Sequence, residues 1–222
     1  MIELQRDGDV FVLRLDEGEN RFAPAFLDEV LGALDTVEKA EGPKALVTVG
    51  AGKFYSNGLD LDWLGAHRDR FEEYLGRIHE LYARLLALPA PTVAAVNGHA
   101  FAGGAMLVLA HDAAVMRSGR GYFCLPEVDL GMPFTAGMSA LIQARLSPAT
   151  AHEAMVTGRR YTAEEAVAER IVAQAVPEEE VLPAAVARAA GQAGKTGTSV
   201  ARIRTDMYRG VLDALRGPVF AS

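Results

Sequence analysis

The chain has very little cysteine, no stripe of basic residues and no long apolar run. Cys124 is the single cysteine among 222 residues, which excludes an internal disulfide, and no Cys/His spacing of the kind found in zinc sites occurs. Acidic residues outnumber basic ones by 29 to 22, giving a formal net charge of −7. A nucleic-acid binder needs a basic surface to neutralise phosphates. Neither a structural metal nor a nucleic-acid partner is therefore expected.

The sequence also shows no pattern typical of a targeting signal or a membrane segment. Residues 1–15 carry charges every few positions, without the apolar core of a signal peptide, and no later stretch has the length and apolarity of a transmembrane helix. The last three residues, Phe220, Ala221 and Ser222, do not form a Ser-Lys-Leu peroxisomal signal. These features predict a cytoplasmic protein with no membrane association.

What is present is the composition of a globular protein. Half of the residues are apolar, 23% are charged and the mean hydropathy is +0.10. A chain of this length can bury a substantial core without disulfides or metals. We predict one domain, with a core over residues 1–190 and a C-terminal helical segment over residues 191–222 that belongs to the same domain.

Short apolar runs alternate with helical patterns over the first half of the chain. Predicted buried strands cover residues 9–15, 44–49, 92–97 and 112–116, and apolar stripes of helical spacing run from Phe26 to Val37 and from Phe71 to Leu86. Such alternation is typical of an α/β fold with a mainly parallel sheet. The later third is mostly helical in pattern, with predicted helices over residues 134–157, 162–170, 181–192 and 198–215.

Two glycine-containing turns follow predicted strands and precede helical patterns. The first lies in FYSNGLDL, residues 54–61, and the second in NGHAFAGGA, residues 97–105. Turns at the carboxyl ends of strands are where open α/β sheets bind ligands. If the two strands are neighbours, two backbone N–H groups can point at one place, which is what a developing enolate oxygen requires. The second turn lacks the glycine spacing of dinucleotide and phosphate loops. Either turn taken alone is also explained by simple packing.

Glu127 is a candidate base because its carboxylate lies inside an apolar segment. Leu125, Val128 and Leu130 flank it, and we expect these neighbours to desolvate the carboxylate and raise its proton affinity. The alternative is a first-turn helix residue that follows Pro126 and faces the helix dipole.

Four blocks of the sequence resemble the enoyl-CoA hydratase/isomerase, or crotonase, family in the family's own order. The blocks are residues 54–61, residues 91–112, LPEVDLGM at 125–132, and TGRRYTAEEAVAERIVAQAVP at 157–177. The resemblance implies a spiral of ββα units with a helical C-terminal region that builds trimers or dimers of trimers. It also implies an acyl-CoA thioester as substrate, with coenzyme A as part of that substrate and no separate cofactor.

The resemblance also implies roles for individual residues. It places the oxyanion donors at the backbone amides of Leu59 and Gly103, makes Glu127 catalytic, and suggests substrate contacts at the first turn, at the second turn and in the helix that follows: Ser56, Gly58, Asp60, Gly104 and Met106. Hydratases of the family hold a water molecule between two glutamates. Met106 stands where the first glutamate would be, and Glu127 stands at the second.

The methionine at position 106, in place of a glutamate, indicates a subclass of the family. Hydration needs two groups, one for the water and one for the proton at C2, whereas one carboxylate suffices to move a double bond. The segments SNGLDLDW, GHAFAGG and AHDAAVMRSGRG resemble single-glutamate Δ3,Δ2-enoyl-CoA isomerases of the peroxisomal type. We therefore expect such an isomerase, acting in fatty acid degradation (β-oxidation), with an acyl tunnel formed by residues 63–90 and 132–145.

Several alternatives remain open on the sequence alone. Other crotonase-type enzymes, such as a hydratase, a dehalogenase or a thioester hydrolase, would share the same turns, and a non-catalytic acyl-CoA binder would share the fold. His99 and His111 are interpreted as structural, through a turn hydrogen bond and a strand-start contact, because no nucleophile elbow accompanies them. Cys124 lies in an apolar run, where a thiol is usually inert.

Overall fold

The computed structural model describes residues 1–219 and contains two sheets whose strands are mainly parallel. Residues 220–222, on which the absence of a peroxisomal signal rests, lie outside the described residues. The larger sheet has the strand order β1-β2-β3-β5-β7-β9, and its strands are β1 Ile2–Asp7, β2 Val10–Leu15, β3 Ala45–Gly50, β5 Thr92–Val96, β7 Ala113–Arg117 and β9 Gln174–Val176. Strands β1 and β2 pair antiparallel, and every later pairing is parallel.

A second, three-stranded parallel sheet lies beside the first. It has the order β4-β6-β8 and consists of very short strands: β4 Phe54–Ser56, β6 His99–Phe101 and β8 Phe123–Cys124. Each of these strands follows a strand of the larger sheet along the chain. The path therefore repeats a large-sheet strand, a small-sheet strand and a helical segment three times, which is the ββα spiral that the sequence resemblance implies.

Helices cover both faces of the larger sheet. They are α1 Pro24–Lys39, α2 Leu61–Ala66, α3 Phe71–Ala87, α4 Gly103–Ala110, α5 Ala136–Arg145, α6 Pro148–Thr157, α7 Ala163–Ala168, α8 Glu178–Ala190, α9 Thr198–Met207 and α10 Arg209–Arg216. Helix α8 buries Val181, Ala185 and Ala189 against one face, where alternate residues of β3 contribute Val47 and Val49. The other face packs under α1, α3 and α4, and this side holds the larger core cluster.

The C-terminal helices pack on their own chain. Helix α10 contacts α3 and α5, and a methyl group on Gly137 of α5 would lie 2.9 Å from the Leu215 Cα atom. The imidazole of His79 in α3 bridges the same region, with 3.2 Å between Nδ1 and the Leu215 carbonyl oxygen and 2.8 Å between Nε2 and the Thr135 hydroxyl. Helix α10 thus packs against the end of α5 that carries Thr135.

The predicted strands of the larger sheet are confirmed to within a residue or two, and so are the two apolar stripes on α1 and α3. Two predictions are wrong in detail. Residues 134–157 form two helices, because the backbone is extended at Leu146 and Ser147. Residues 198–215 also form two helices, because the backbone leaves helical geometry at Tyr208, where φ is −104° and ψ is 19°. Strand β1 and the short strands β4, β6, β8 and β9 were not predicted. None of the helices within residues 1–219 has the length and apolarity needed to cross a bilayer.

Candidate active site

The small sheet brings three chain segments to one edge. Adjacent parallel strands lie about 4.8 Å apart and all end on the same side. Because β4 is followed by Leu59, β6 by Gly103 and β8 by Glu127, these residues come together beyond the carboxyl ends of the strands. The sequence predicted that the two turns directly follow the strands of the larger sheet that are now β3 and β5. In the structure they follow β4 and β6 of the small sheet.

The first turn is held by hydrogen bonds from inside the protein. The Ser56 hydroxyl donates to the Asn20 carbonyl oxygen at 2.7 Å and accepts from the Gly58 amide at 3.1 Å. Ser56 is fully buried and its hydroxyl shapes the turn. The expectation that Ser56 contacts substrate stays a prediction. Asp60 caps α2, because its carboxylate accepts from the Trp63 amide at 3.1 Å. The expected contact of Asp60 with substrate stays a prediction.

The second turn contains a backbone conformation that L-amino acids rarely adopt. Ala102 has φ +50° and ψ −123°, and its amide donates to the Cys124 carbonyl oxygen at 3.0 Å. Gly104 follows where no side chain fits, since a methyl group there would lie 2.2 Å from the Ser56 carbonyl oxygen. The turn is thus fixed by contacts to both neighbouring strands of the small sheet.

The two turns touch each other. Gly58 has φ +77°, and a methyl group on it would lie 2.5 Å from the Gly103 amide nitrogen. Within residues 1–219, neither the Leu59 amide nor the Gly103 amide donates to a backbone acceptor. Gly103 is the first residue of α4, where amide groups have no partner inside the helix. The fold therefore presents two free N–H groups from adjoining turns at one end of a helix.

An apolar cavity of about 550 Å³ opens in front of these turns. Its wall includes Leu59, Ala102, Met106 and Glu127, together with residues of β6, α3, α5 and the 126–135 segment: Phe101, Phe71, Leu75, Pro126, Leu130, Met132, Pro133, Thr135 and Met138. The predicted tunnel segments 63–90 and 132–145 both contribute to this wall. Volumes of this order are typical of small-molecule sites, where a few polar groups stand on a mainly apolar surface.

Glu127 lies in a short 3₁₀ helix, Pro126–Val128, with 6% of its surface exposed. Burial raises the pKa of this carboxyl from its ordinary value of 4.5 to about 7, and its own backbone amide lowers the pKa by a smaller amount. Its Oε2 atom is buried and has no hydrogen-bond partner among the described residues. A buried, unpaired carboxylate whose pKa lies near neutrality is suited to take up and return a proton.

The cause of this burial differs from the sequence expectation. Val128 and Leu130, expected to desolvate the carboxylate, are 46% and 52% exposed. Leu125 is fully buried, as expected, and Met106 is fully buried on the same cavity wall. The core and the cavity wall, which includes Leu130, therefore desolvate Glu127, whereas Val128 is half exposed and lies outside that wall.

A second carboxylate does not lie beside Glu127 in the described cavity wall. The other acidic residue of that wall, Asp62, is 90% exposed in its side chain and pairs with Arg21 at 2.7 Å. Residues 1–219 also contain no group of three His, Cys, Asp or Glu side chains arranged as metal ligands. The chemistry available at this site is proton transfer by one buried carboxyl beside two free amides.

The histidines and the cysteine lie outside the cavity wall. His111 is buried, with Nδ1 2.8 Å from the Leu107 carbonyl oxygen and Nε2 3.0 Å from the Thr48 hydroxyl, so its role is structural. The His99 ring contacts the Phe54 and Phe101 rings at tilted angles of 44° and 46°. Its Nδ1 atom has no hydrogen-bond partner within the described chain, so the predicted turn hydrogen bond is wrong for Nδ1. Burial raises the pKa of the Cys124 thiol to about 11, which keeps it protonated.

Sequence reasoning missed two tyrosines of α3 that contact the turns. The Tyr74 hydroxyl accepts from the Asp60 amide at 2.8 Å, and the Tyr82 hydroxyl donates to the Gly103 carbonyl oxygen at 2.8 Å. Both lie on an apolar helix stripe and looked like core residues. No short-range signal identifies them, because their partners lie 14 and 21 residues away along the chain.

Comparison with known proteins gives consistent matches over nearly the whole chain. A family model described as enoyl-CoA hydratase/isomerase matches residues 5–217. Enoyl-CoA delta isomerase 3 of Arabidopsis thaliana is 39% identical over 221 residues, covering 94% of this chain and 92% of that protein. An enoyl-CoA hydratase from Mycobacterium marinum has a similar structure, with a TM-score of 0.90 and 26% identity over 98% of this chain and 96% of the other. Human mitochondrial delta3-delta2-enoyl-CoA isomerase matches in fold, with a TM-score of 0.89 and 23% identity over 96% and 85%.

Proposed function

The chain belongs to the enoyl-CoA hydratase/isomerase (crotonase) family, and on this premise we propose that it is a Δ3,Δ2-enoyl-CoA isomerase. The substrate is a 3-enoyl-CoA thioester, and the product is the conjugated 2-enoyl-CoA. The observation that carries the proposal is the buried carboxyl of Glu127, which faces the cavity with Met106 in place of a second acid.

The proposed reaction needs one base and one oxyanion site. Ionised Glu127 removes a proton from C2, and the electrons of that C–H bond form a dienolate whose charge rests on the thioester oxygen. The amides of Leu59 and Gly103 stabilise that oxygen, because backbone N–H groups fixed in advance need no reorganisation as charge develops. Protonated Glu127 then returns the proton at C4, and the double bond moves to C2–C3.

The apolar wall supports transposition over hydration. Adding water across the double bond requires a group that holds and activates the water, and the thioether of Met106 cannot do this. Met132 and Met138 extend the apolar surface around the base. Excluding water from the dienolate favours return of the same proton over side reactions.

Hydration is the alternative activity, favoured by the fold similarity to the Mycobacterium marinum hydratase. Both activities are measured with purified enzyme, as conversion of 3-hexenoyl-CoA to 2-hexenoyl-CoA and as hydration of 2-hexenoyl-CoA. We expect isomerisation without hydration in the wild type. Glu127→Gln should lose several orders of magnitude in kcat, as expected when a sole base is removed. Glu38→Gln makes the same chemical change outside the cavity and should retain full activity. Hydration at a comparable rate, or an active Glu127→Gln variant, would reject the proposal.

Four further expectations belong to this proposal. Family membership supports a homotrimer or a dimer of trimers, which light scattering of the purified protein would measure. It also supports a place in fatty acid degradation and an enzyme without a separate cofactor. A cytoplasmic location is proposed as well, although two relatives are named as peroxisomal, and cell fractionation would test it.

A further inference from the structure

Helix α3 contacts both turns that carry the proposed oxyanion donors, through two tyrosines. The Tyr74 hydroxyl accepts a hydrogen bond from the Asp60 amide, and the Tyr82 hydroxyl donates one to the Gly103 carbonyl oxygen, each at 2.8 Å. A phenol hydroxyl can act in either sense, so one residue type serves both turns. The two tyrosines are eight residues apart, about 12 Å along the helix axis.

These hydrogen bonds lie at equivalent places in the two turns. Tyr74 holds the peptide plane that joins Leu59 to Asp60, and Tyr82 holds the plane that joins Gly103 to Gly104. In each case the plane held is the one that follows a donor amide. Fixing that plane restricts the backbone torsion of the donor residue, and thereby the direction of its N–H group.

The hydrogen bonds of Tyr74 and Tyr82 are buried and closely packed. Tyr74 and Tyr82 are 2% and 0% exposed. A methyl group on Gly103 would lie 3.0 Å from the Tyr82 hydroxyl and 3.0 Å from Leu59 Cδ1, so Tyr82 packs against the junction of the two turns. A hydrogen bond in such surroundings is not exchanged for one to water, and it restrains the turn continuously.

We propose that Tyr74 and Tyr82 are positioning residues that hold the amides of Leu59 and Gly103 in register for the thioester oxygen. The inference rests on the proposed function and deepens it. Helix α3 then acts as a common brace for two turns that lie 44 residues apart in sequence. Donor groups are effective only when held within about 0.5 Å of the productive geometry, so loss of either brace should weaken the oxyanion site.

The test uses Tyr74→Phe, Tyr82→Phe and the double variant of the full chain. Each change removes one hydroxyl and keeps the ring that packs in the core. Tyr208→Phe is the matched control, because Tyr208 is also buried and its hydroxyl bonds to Arg145 at 2.6 Å, away from both turns. Circular dichroism and thermal unfolding establish that each variant is folded.

Two readouts separate positioning from a purely structural role. Steady-state kinetics with 3-hexenoyl-CoA should show kcat lowered about 10- to 100-fold in each single variant, with KM changed less than about 3-fold, because oxyanion contacts strengthen only in the transition state. Binding of 2,4-hexadienoyl-CoA gives a second readout without turnover. Hydrogen bonds to its thioester oxygen polarise the conjugated system and move its absorption to longer wavelength, and this shift should shrink in the variants.

The outcomes are distinct. A lower kcat with near-constant KM and a smaller spectral shift, both absent in Tyr208→Phe, would support the inference. Wild-type kcat and spectral shift in both tyrosine variants would overturn it while leaving the isomerase proposal intact. An equal loss in Tyr208→Phe would also overturn it, since the effect would then follow stability. If the wild type fails to isomerise 3-hexenoyl-CoA, the proposed function fails, and the spectral shift alone decides whether the tyrosines position the amides.

Discussion

The Cα atom of Gly58 lies so close to the Gly103 amide that a methyl group on it would come within 2.5 Å of that nitrogen. The two glycines belong to different ββα units, and they meet because β4 and β6 are neighbours in the small sheet. Contact of this kind fixes the spacing between the turns, and it leaves room for no side chain at Gly58.

Gly58→Ala should therefore disrupt the site more than the fold. The new methyl group must displace the Gly103 amide, and φ +77° is itself unfavourable for alanine. We expect kcat to fall at least about 100-fold, the scale of losing one oxyanion donor, and the free energy of unfolding to fall by about 1–3 kcal/mol. Kinetics and urea unfolding measure the two effects. Gly32→Ala in α1, where a methyl group meets nothing within 4 Å, should remain fully active. Full activity in Gly58→Ala would mean that the turns need not touch.

The pH dependence of the reaction should report the ionisation of Glu127. The carboxylate must be ionised to accept the C2 proton, and burial raises its pKa to about 7. The value of kcat/KM should thus rise tenfold per pH unit below about pH 7 and level off above it. A profile measured from pH 5 to 9 that stays flat down to pH 5 would contradict a desolvated base.

Glu127 should also lower stability at alkaline pH. A carboxyl whose pKa is 4.5 when unfolded and about 7 when folded favours folding while it is protonated, and this advantage is lost as the pH rises from 4.5 through 7. The shift corresponds to about 3 kcal/mol. Glu127→Gln should therefore gain stability relative to the wild type as the pH is raised from 5 to 8. A difference that stays constant across this range in chemical unfolding would count against the raised pKa.

Met106→Glu should give the enzyme a measurable hydratase activity. Met106 is fully buried and lines the same cavity as Glu127, so a carboxylate there can help to hold a water molecule. The added negative charge should further raise the pKa of Glu127 and move the acidic limb of the pH profile upward. Hydration of 2-hexenoyl-CoA and the pH profile are the measurements, with Met106→Leu as the apolar control. If neither property changes in a folded variant, Met106 does not face the reacting carbons.

Acid should destabilise the protein partly through His111. Burial lowers the pKa of this imidazole from 6.5 to about 4. Between about pH 4 and 6.5 the imidazole is therefore protonated in the unfolded chain and neutral in the folded chain. The wild type should lose up to about 3 kcal/mol from this group as the pH falls from 6.5 to 4. His111→Asn should be less stable at pH 7 and show a shallower decline in acid. A decline in acid as steep in His111→Asn as in the wild type would contradict this account.

The sequence pattern predicted four strands of the larger sheet and the first long helices. Strands β2, β3, β5 and β7 are buried runs bounded by turn residues, and α1 and α3 have clear apolar stripes. The small sheet could not be predicted, because its strands have only two or three residues, too few to show an alternation of apolar and polar side chains. The roles of Tyr74 and Tyr82 were hidden for a related reason, since a buried tyrosine on an apolar stripe looks the same whether or not its hydroxyl has a distant partner.

The sequence by itself determined which residue types stand at the site: glycines at the two turns, a methionine at position 106 and one glutamate in an apolar segment. Tertiary structure alone decided how these residues meet and what surrounds them. Pairing of β4, β6 and β8 brings the turns and Glu127 to one edge, and the core and the cavity wall around Glu127, not its neighbour Val128, account for the raised pKa. The physical reason is that local composition governs backbone conformation over a few residues, whereas desolvation and the aim of an amide depend on atoms brought close by the whole fold.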